Sequence, residues 1–200
     1  MRNKKSSFRV PQQSIEDAYS LTPSSVSLGF PPERTLEYFG QVSSAQNERA
    51  LERIKEHLVA SPEQELFMIV TSPGGPSGAA MSFYDTVRFV LRPNLVTIGS
   101  GDVDSSGIII LLSGRKRYVT KHTTLLLHMA GRTFPNDKRF TAREIAAMVK
   151  EDRLKDTQYA SILAEHSMLS HEFILSLMEK NTLLTPDDLV KYGFVEGILS

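Results

Sequence analysis

Hydroxyl and imidazole side chains at the ends of apolar segments are the groups here that can do covalent chemistry without a cofactor. Leu66-Phe67-Met68-Ile69-Val70 leads into Ser72-Pro73-Gly74-Gly75, an apolar strand that ends in a tight turn and opens into a helix. Backbone amides at such a junction are unpaired and carry partial positive charge, which suits an anion or oxyanion. Pro-Gly and Gly-Gly are equally ordinary turn formers. Gly101-Asp102-Val103-Asp104-Ser105-Ser106-Gly107 repeats the arrangement with hydroxyls at the junction. A serine there can be exposed and aimed across a helix start, as in the nucleophile elbow of hydrolases, although G-x-S-x-G itself is absent. The alternative is a plain helix cap, a position that Ser and Asp favour.

The chain has five histidines. His57, His166 and His171 fall on expected helices among charged residues and read as solvated. His128 ends the apolar run Leu125-Leu126-Leu127 and precedes Met129-Ala130-Gly131, which puts an imidazole at the end of a buried strand, as a base or as a structural histidine. No histidine pair has the spacing of zinc ligands and no acidic array resembles a calcium loop, so no metal is expected. There is no cysteine, which removes disulfides, thiolate metal sites and cysteine nucleophiles.

The elements that must position these groups alternate. Leu36 to Gly40 reads as a short strand. Ser43-x-x-Gln46 then starts a helix whose stripe, Leu51, Ile54, Leu58 and Val59, runs to about Ala60. The run at 66–70 is a strand covered on both faces. A helix over about 77–91 is stopped by Pro93, and 95–99 is the next buried strand. Residues 107–112 read as a short helix, with strands near 117–120 and 124–127. Thr141-x-x-Glu144 caps a helical tract to about Ser167, near 40 Å at about 1.5 Å per residue, long enough to reach a neighbouring subunit. Helices from Ser170 to about Lys180 and from Thr185 to Gly193, then a strand over 194–199, close the chain. The alternation predicts an α/β fold with right-handed crossovers, either a doubly wound sheet or a spiral of ββα units.

The 200 residues fit one domain, which buries roughly 70% of the surface its unfolded chain exposes. Residues 1–35, rich in Ser, Pro, Gln and Arg, read as an extended or partly disordered arm, and the domain proper spans 36–200. Lys and Arg number 23 against 23 Asp and Glu, so no general attraction for nucleic acid or anionic membranes is expected. The basic start lacks a following apolar stretch, which predicts an unexported, cytoplasmic protein. Ile108–Leu112, the longest apolar stretch noted, is far below the roughly 18 residues of a spanning helix.

Taken in order, Ser72-Pro73-Gly74-Gly75, Met81-Ser82-x-Tyr84-Asp85-Thr86, the 101–107 loop, His128 and Tyr192-Gly193-x-Val195 resemble the ClpP family, the proteolytic subunits of the Clp protease, over about residues 36–200. The resemblance implies a ClpP/crotonase-like α/β spiral of ββα units with a long protruding handle helix. It implies a serine endopeptidase in a ring, usually heptameric and paired into a double ring, that hydrolyses unfolded polypeptides fed by an AAA+ ATPase, with no cofactor. Ser105 falls on the family's nucleophile and His128 on its base. Gly75 and Ser106 fall where the two oxyanion-hole amides are supplied. Asn181 stands where most members carry the triad aspartate; its oxygen can hold the imidazole tautomer but brings no full charge. Asp102 and Asp104 also depart from the family and read as caps of the helix after them, with a raised imidazole pKa as the alternative. Two rivals go with these departures: a ring subunit that is catalytically weak or inactive, and a crotonase-like acyl-CoA enzyme.

Overall fold

A computed structural model describes residues 25, 26, 29–134 and 136–199. Its centre is a wholly parallel six-stranded sheet, ordered β1-β8-β5-β4-β3-β2. The strands are β1 (Ser25–Val26), β2 (Thr35–Phe39), β3 (Leu66–Ser72), β4 (Leu95–Val103), β5 (Lys116–Thr120) and β8 (Gly197–Leu199). β3 lies between β2 and β4, with Met68 opposite both Leu36 and Thr97. Its near-continuous burial explains why the segment is apolar without alternation. β6 (Leu125–Leu127) pairs antiparallel with β7 (Thr182–Leu184) as a separate ribbon.

The helices are α1 (Ser44–Ala60), α2 (Ser77–Asp85), α3 (Gly107–Leu112), α4 (Ala142–Glu165), α5 (His171–Glu179) and α6 (Pro186–Lys191). α2 continues as a π-helical turn over Thr86–Leu91 that stops at Arg92, whose φ is 53°. All six residues of α3 are buried, so the sequence Gly-Ile-Ile-Ile-Leu-Leu forms a helix apolar on every side because it lies inside the core. Main-chain bonds tie its start to two strands. The Asp104 amide donates to the Ser72 carbonyl (2.8 Å), and the Ser105 amide donates to the Leu126 carbonyl (3.0 Å).

α4 opens with the expected capping box, Thr141 and Glu144 each accepting from the other's backbone. It is 24 residues long, about 36 Å. Only Asp156, Tyr159, Ala160 and Leu163 of this helix are buried, while Ile145, Val149 and Leu154 are exposed. Its first half therefore projects from the core and its second half packs.

The α/β class, the parallel sheet and the long helix are as expected. Three readings need correction. β7 was not foreseen, because three residues cannot display a period and the strand exists through its pairing with β6. His166 is not solvated: its Nε2 lies 2.7 Å from the Tyr84 hydroxyl, and burial first, with Arg117 and Arg88 nearby, brings its pKa down to about 4. Asp102 and Asp104 do not cap α3, which has no side-chain cap. Asp104 Oδ1 instead accepts from the Leu126 amide (2.9 Å) and Asp102 Oδ1 from the Thr124 hydroxyl (3.2 Å). Both carboxylates thus hold the segment entering β6 beside β4. The expected arm contains β1, parallel to β8; its residues 1–24, 27 and 28 lie outside the described residues.

Candidate active site

The turn after β3 supplies one wall. Ser72 Oγ accepts from the Gly74 amide (3.1 Å), and the Gly74 carbonyl accepts from the Val42 amide (2.9 Å). Gly74 has φ +92°, and a Cβ there would sit 2.6 Å from Cβ of Ser105. A Cβ on Gly75 would sit 2.4 Å from the Val42 carbonyl oxygen. No side chain fits at either position, so the backbone comes close to Ser105.

Ser105 lies at the turn from β4 into α3 with φ 53°, a left-handed conformation that costs a non-glycine residue about 1–3 kcal/mol. Its amide is bound by Leu126, and its carbonyl accepts from the Ile108 amide (3.1 Å) and the buried Tyr159 hydroxyl (2.8 Å). Burial pushes the Tyr159 phenol far up, with Asp104 adding to it, so this residue stays a neutral donor. The Ser106 hydroxyl donates to the Gly75 carbonyl (2.9 Å), joining the two turns. Among the described residues, no acceptor faces the Gly75 or Ser106 amide. Both donors therefore remain available, on residues that line the same cavity as Ser105.

His128 follows β6 directly and lines the same cavity as Ser105, Ser106 and Gly75, a space of about 550 Å³. Its Nδ1 lies 2.7 Å from the Met129 carbonyl oxygen. That contact, with Nδ1 protonated, leaves Nε2 as the basic nitrogen.

Asn181 is placed differently. β6 and β7 pair Leu127 with Thr182, so one further step in register would set Asn181 opposite His128. The ribbon ends before that step, because Asn181 has φ 50° and its amide turns back to the Met178 carbonyl (3.1 Å). Its side chain is exposed, and it does not line the cavity. The structure thus brings Gly75, Ser105, Ser106 and His128 together and leaves Asn181 at the edge.

Two carboxyls near the imidazole have raised pKa values. For Asp104 the cause is burial first, opposed by the Leu126 amide, with Asp102 raising it further and His128 lowering it. For Asp156 it is again burial first, opposed by the Ala130 amide (2.7 Å to Oδ1), with Asp152 raising and His128 lowering. Sequence reasoning missed Asp156 and the role of Tyr159. The available signal was that Asp156, Tyr159, Ala160 and Leu163 recur at helical spacing, with a carboxylate inside an otherwise buried stripe.

Among the described residues no cluster of three or more His, Cys, Asp or Glu could hold a metal ion, and no helix is long and apolar enough to cross a membrane.

A hydroxyl on a strained strand-to-helix turn, amides without an acceptor on two turns that follow parallel strands, and an imidazole in the same cavity at the end of the β6–β7 ribbon are parts that a nucleophilic hydrolase uses. The chain matches the Clp protease family over residues 30–200. It belongs to that family and is a ClpP-type peptidase by descent.

Proposed function

We propose that this chain is a serine endopeptidase subunit in which Ser105 attacks the scissile carbonyl and His128 takes the hydroxyl proton and returns it to the leaving amine. The Gly75 and Ser106 amides stabilise the oxyanion. The supporting observation is that Ser105 and His128 line one cavity whose adjoining amides have no acceptor among the described residues. Atoms balance through an acyl ester on Ser105, which water cleaves with His128 again as base. Asn181 orients the imidazole once the turn at 181 swings its side chain inward. Assembly through α4 into a ring, paired into a double ring, encloses the chamber, and an AAA+ ATPase supplies unfolded chains.

The test is hydrolysis of small peptides by the wild type and by Ser105→Ala, with native mass spectrometry on both. The reading requires activity in a large oligomer and its loss, by about 10³-fold or more, in a variant that assembles equally. An active monomer at micromolar concentration contradicts the compartmental part; a fully active Ser105→Ala contradicts the chemistry.

A second reading, a ring subunit with weak or lost proteolysis, is favoured by one observation: the imidazole Nδ1 faces a main-chain carbonyl and has no side-chain partner among the described residues. An assembled wild type that hydrolyses no peptide would support it.

A further inference from the structure

The cavity at Ser105 continues along the middle of α4, where its lining becomes charged: Glu151, Asp152, Lys155 and Asp156 from the helix and Arg132 from the segment after β6. Arg132 is already occupied. Its Nε donates to both oxygens of Asp152 (2.8 and 2.9 Å) and its Nη2 to Glu151 (2.7 Å) and to the Met148 carbonyl (3.4 Å). Lys155 precedes Asp156 by one helical position, about 100° around the axis, and also lines a separate cavity on the α2 side with Met81 and Asp85.

Asp156 remains, 6% exposed and on the wall that Ser105 and His128 share. Its Oδ1 is taken by the Ala130 amide. Among the described residues no buried side-chain oxygen lacks a partner, and no second hydrogen bond reaches this carboxylate, so Oδ2 opens on the cavity. Tyr159 and Met178 provide apolar wall beside it. A carboxylate this buried is costly unless a cation meets it.

We infer that this cavity is the subsite for a basic substrate side chain, with Asp156 as the specificity-determining residue that selects lysine or arginine at the residue whose carbonyl Ser105 attacks. The inference rests on Ser105 being the nucleophile. That residue's side chain branches from the carbon bonded directly to the reacting carbonyl, so a cavity opening at Ser105 receives it first. A lysine or arginine stem lies along Tyr159 and Met178 while its head reaches Oδ2, the arrangement long cationic side chains adopt on mixed surfaces. Burial pushes the Asp156 carboxyl above its ordinary range, and an arriving cation offsets that penalty. A leucine or methionine in the same place would desolvate the carboxylate without compensation.

Two phosphonate probes that differ only in an aminobutyl or an isobutyl group at that position decide the matter, with the labelled residue mapped by mass spectrometry. The aminobutyl probe should label Ser105 at least tenfold faster. Asp156→Asn keeps an oxygen for the Ala130 amide and should bring the two rates to within about twofold of each other. Hydrolysis of a mixed peptide library by the unsubstituted protein, free of any folding defect, should be enriched in cleavage after lysine and arginine. Equal rates in the wild type, a preference retained in Asp156→Asn, or enrichment after leucine and methionine overturns the subsite and leaves the nucleophile standing. Failure of both probes to label Ser105 overturns the nucleophile, and the subsite with it.

Discussion

Two non-glycine residues border the candidate site in the left-handed region, Ser105 at φ 53° and Asn181 at φ 50°, and the surroundings hold them in different ways. Ser105 is bonded through its amide to Leu126 and through its carbonyl to Ile108 and the buried Tyr159 hydroxyl, with Gly74 against its Cβ. Strain at such a residue persists only because the rest of the core determines it. Asn181 is exposed, bonded among the described residues by its amide to Met178 alone, and of a type that tolerates this conformation. The place of Ser105, the proposed nucleophile, is therefore fixed by the interior of the chain. Asn181, the proposed third member, lies on an exposed turn that the chain's own interior does not fix.

The contrast breaks most severely at Gly74. In Gly74→Ala the new Cβ meets Ser105 at 2.6 Å and the Asp104 carbonyl at 3.0 Å, with φ +92°, so we expect a loss of about 3 kcal/mol or more and of peptidase activity. An unchanged urea midpoint would show that the interior does not hold Ser105. Tyr159→Phe removes the donor to the Ser105 carbonyl and should cost about 1–2 kcal/mol by the same measurement. Its turnover should fall as the turn loosens.

At Asn181 stability should hardly move while chemistry does. Asn181→Asp adds charge for the imidazolium and should raise turnover about tenfold, an effect of ~1.4 kcal/mol, and Asn181→Ala should lower it. Peptide hydrolysis across pH, with the oligomer checked for each variant, reads both. Equal rates for the three proteins would remove Asn181 from the machinery.

The smallest effect concerns Asp104. Its carboxyl is raised in the folded state, so the protonated form is favoured by folding. The stability this contributes is fully present below the unfolded pKa and is lost as pH rises through the folded one. Asp104→Asn, which keeps an oxygen for Leu126, should match the wild type near pH 3 and exceed it at pH 7. Urea midpoints at the two values check the sign.

The same contrast explains what could be read from the residues alone. β3 and α3 carry unbroken apolar runs, β4 opens on the mostly apolar run 95–98, and all three adjoin glycine-rich or serine-rich turns, so they and the Ser105 junction are visible in sequence. Asn181 could be matched to the family but not placed, because its turn depends on where the three-residue ribbon of β6 and β7 stops. Asp104 reads locally as a cap, and only the passage of β6 alongside turns it into an anchor for Leu126. Asp156 reads as one more charge on a helix until Ala130 and the cavity are brought against it.

The central claim is that the turn between β4 and α3 makes Ser105 a nucleophile that depends on His128. Mass-spectrometric mapping of a serine-directed phosphonate on the wild type, Ser105→Ala, Ser106→Ala and His128→Ala tests it most directly. The account predicts modification at Ser105 in the wild type and in Ser106→Ala, and none in Ser105→Ala or His128→Ala. Labelling that survives in Ser105→Ala and disappears in Ser106→Ala would contradict it.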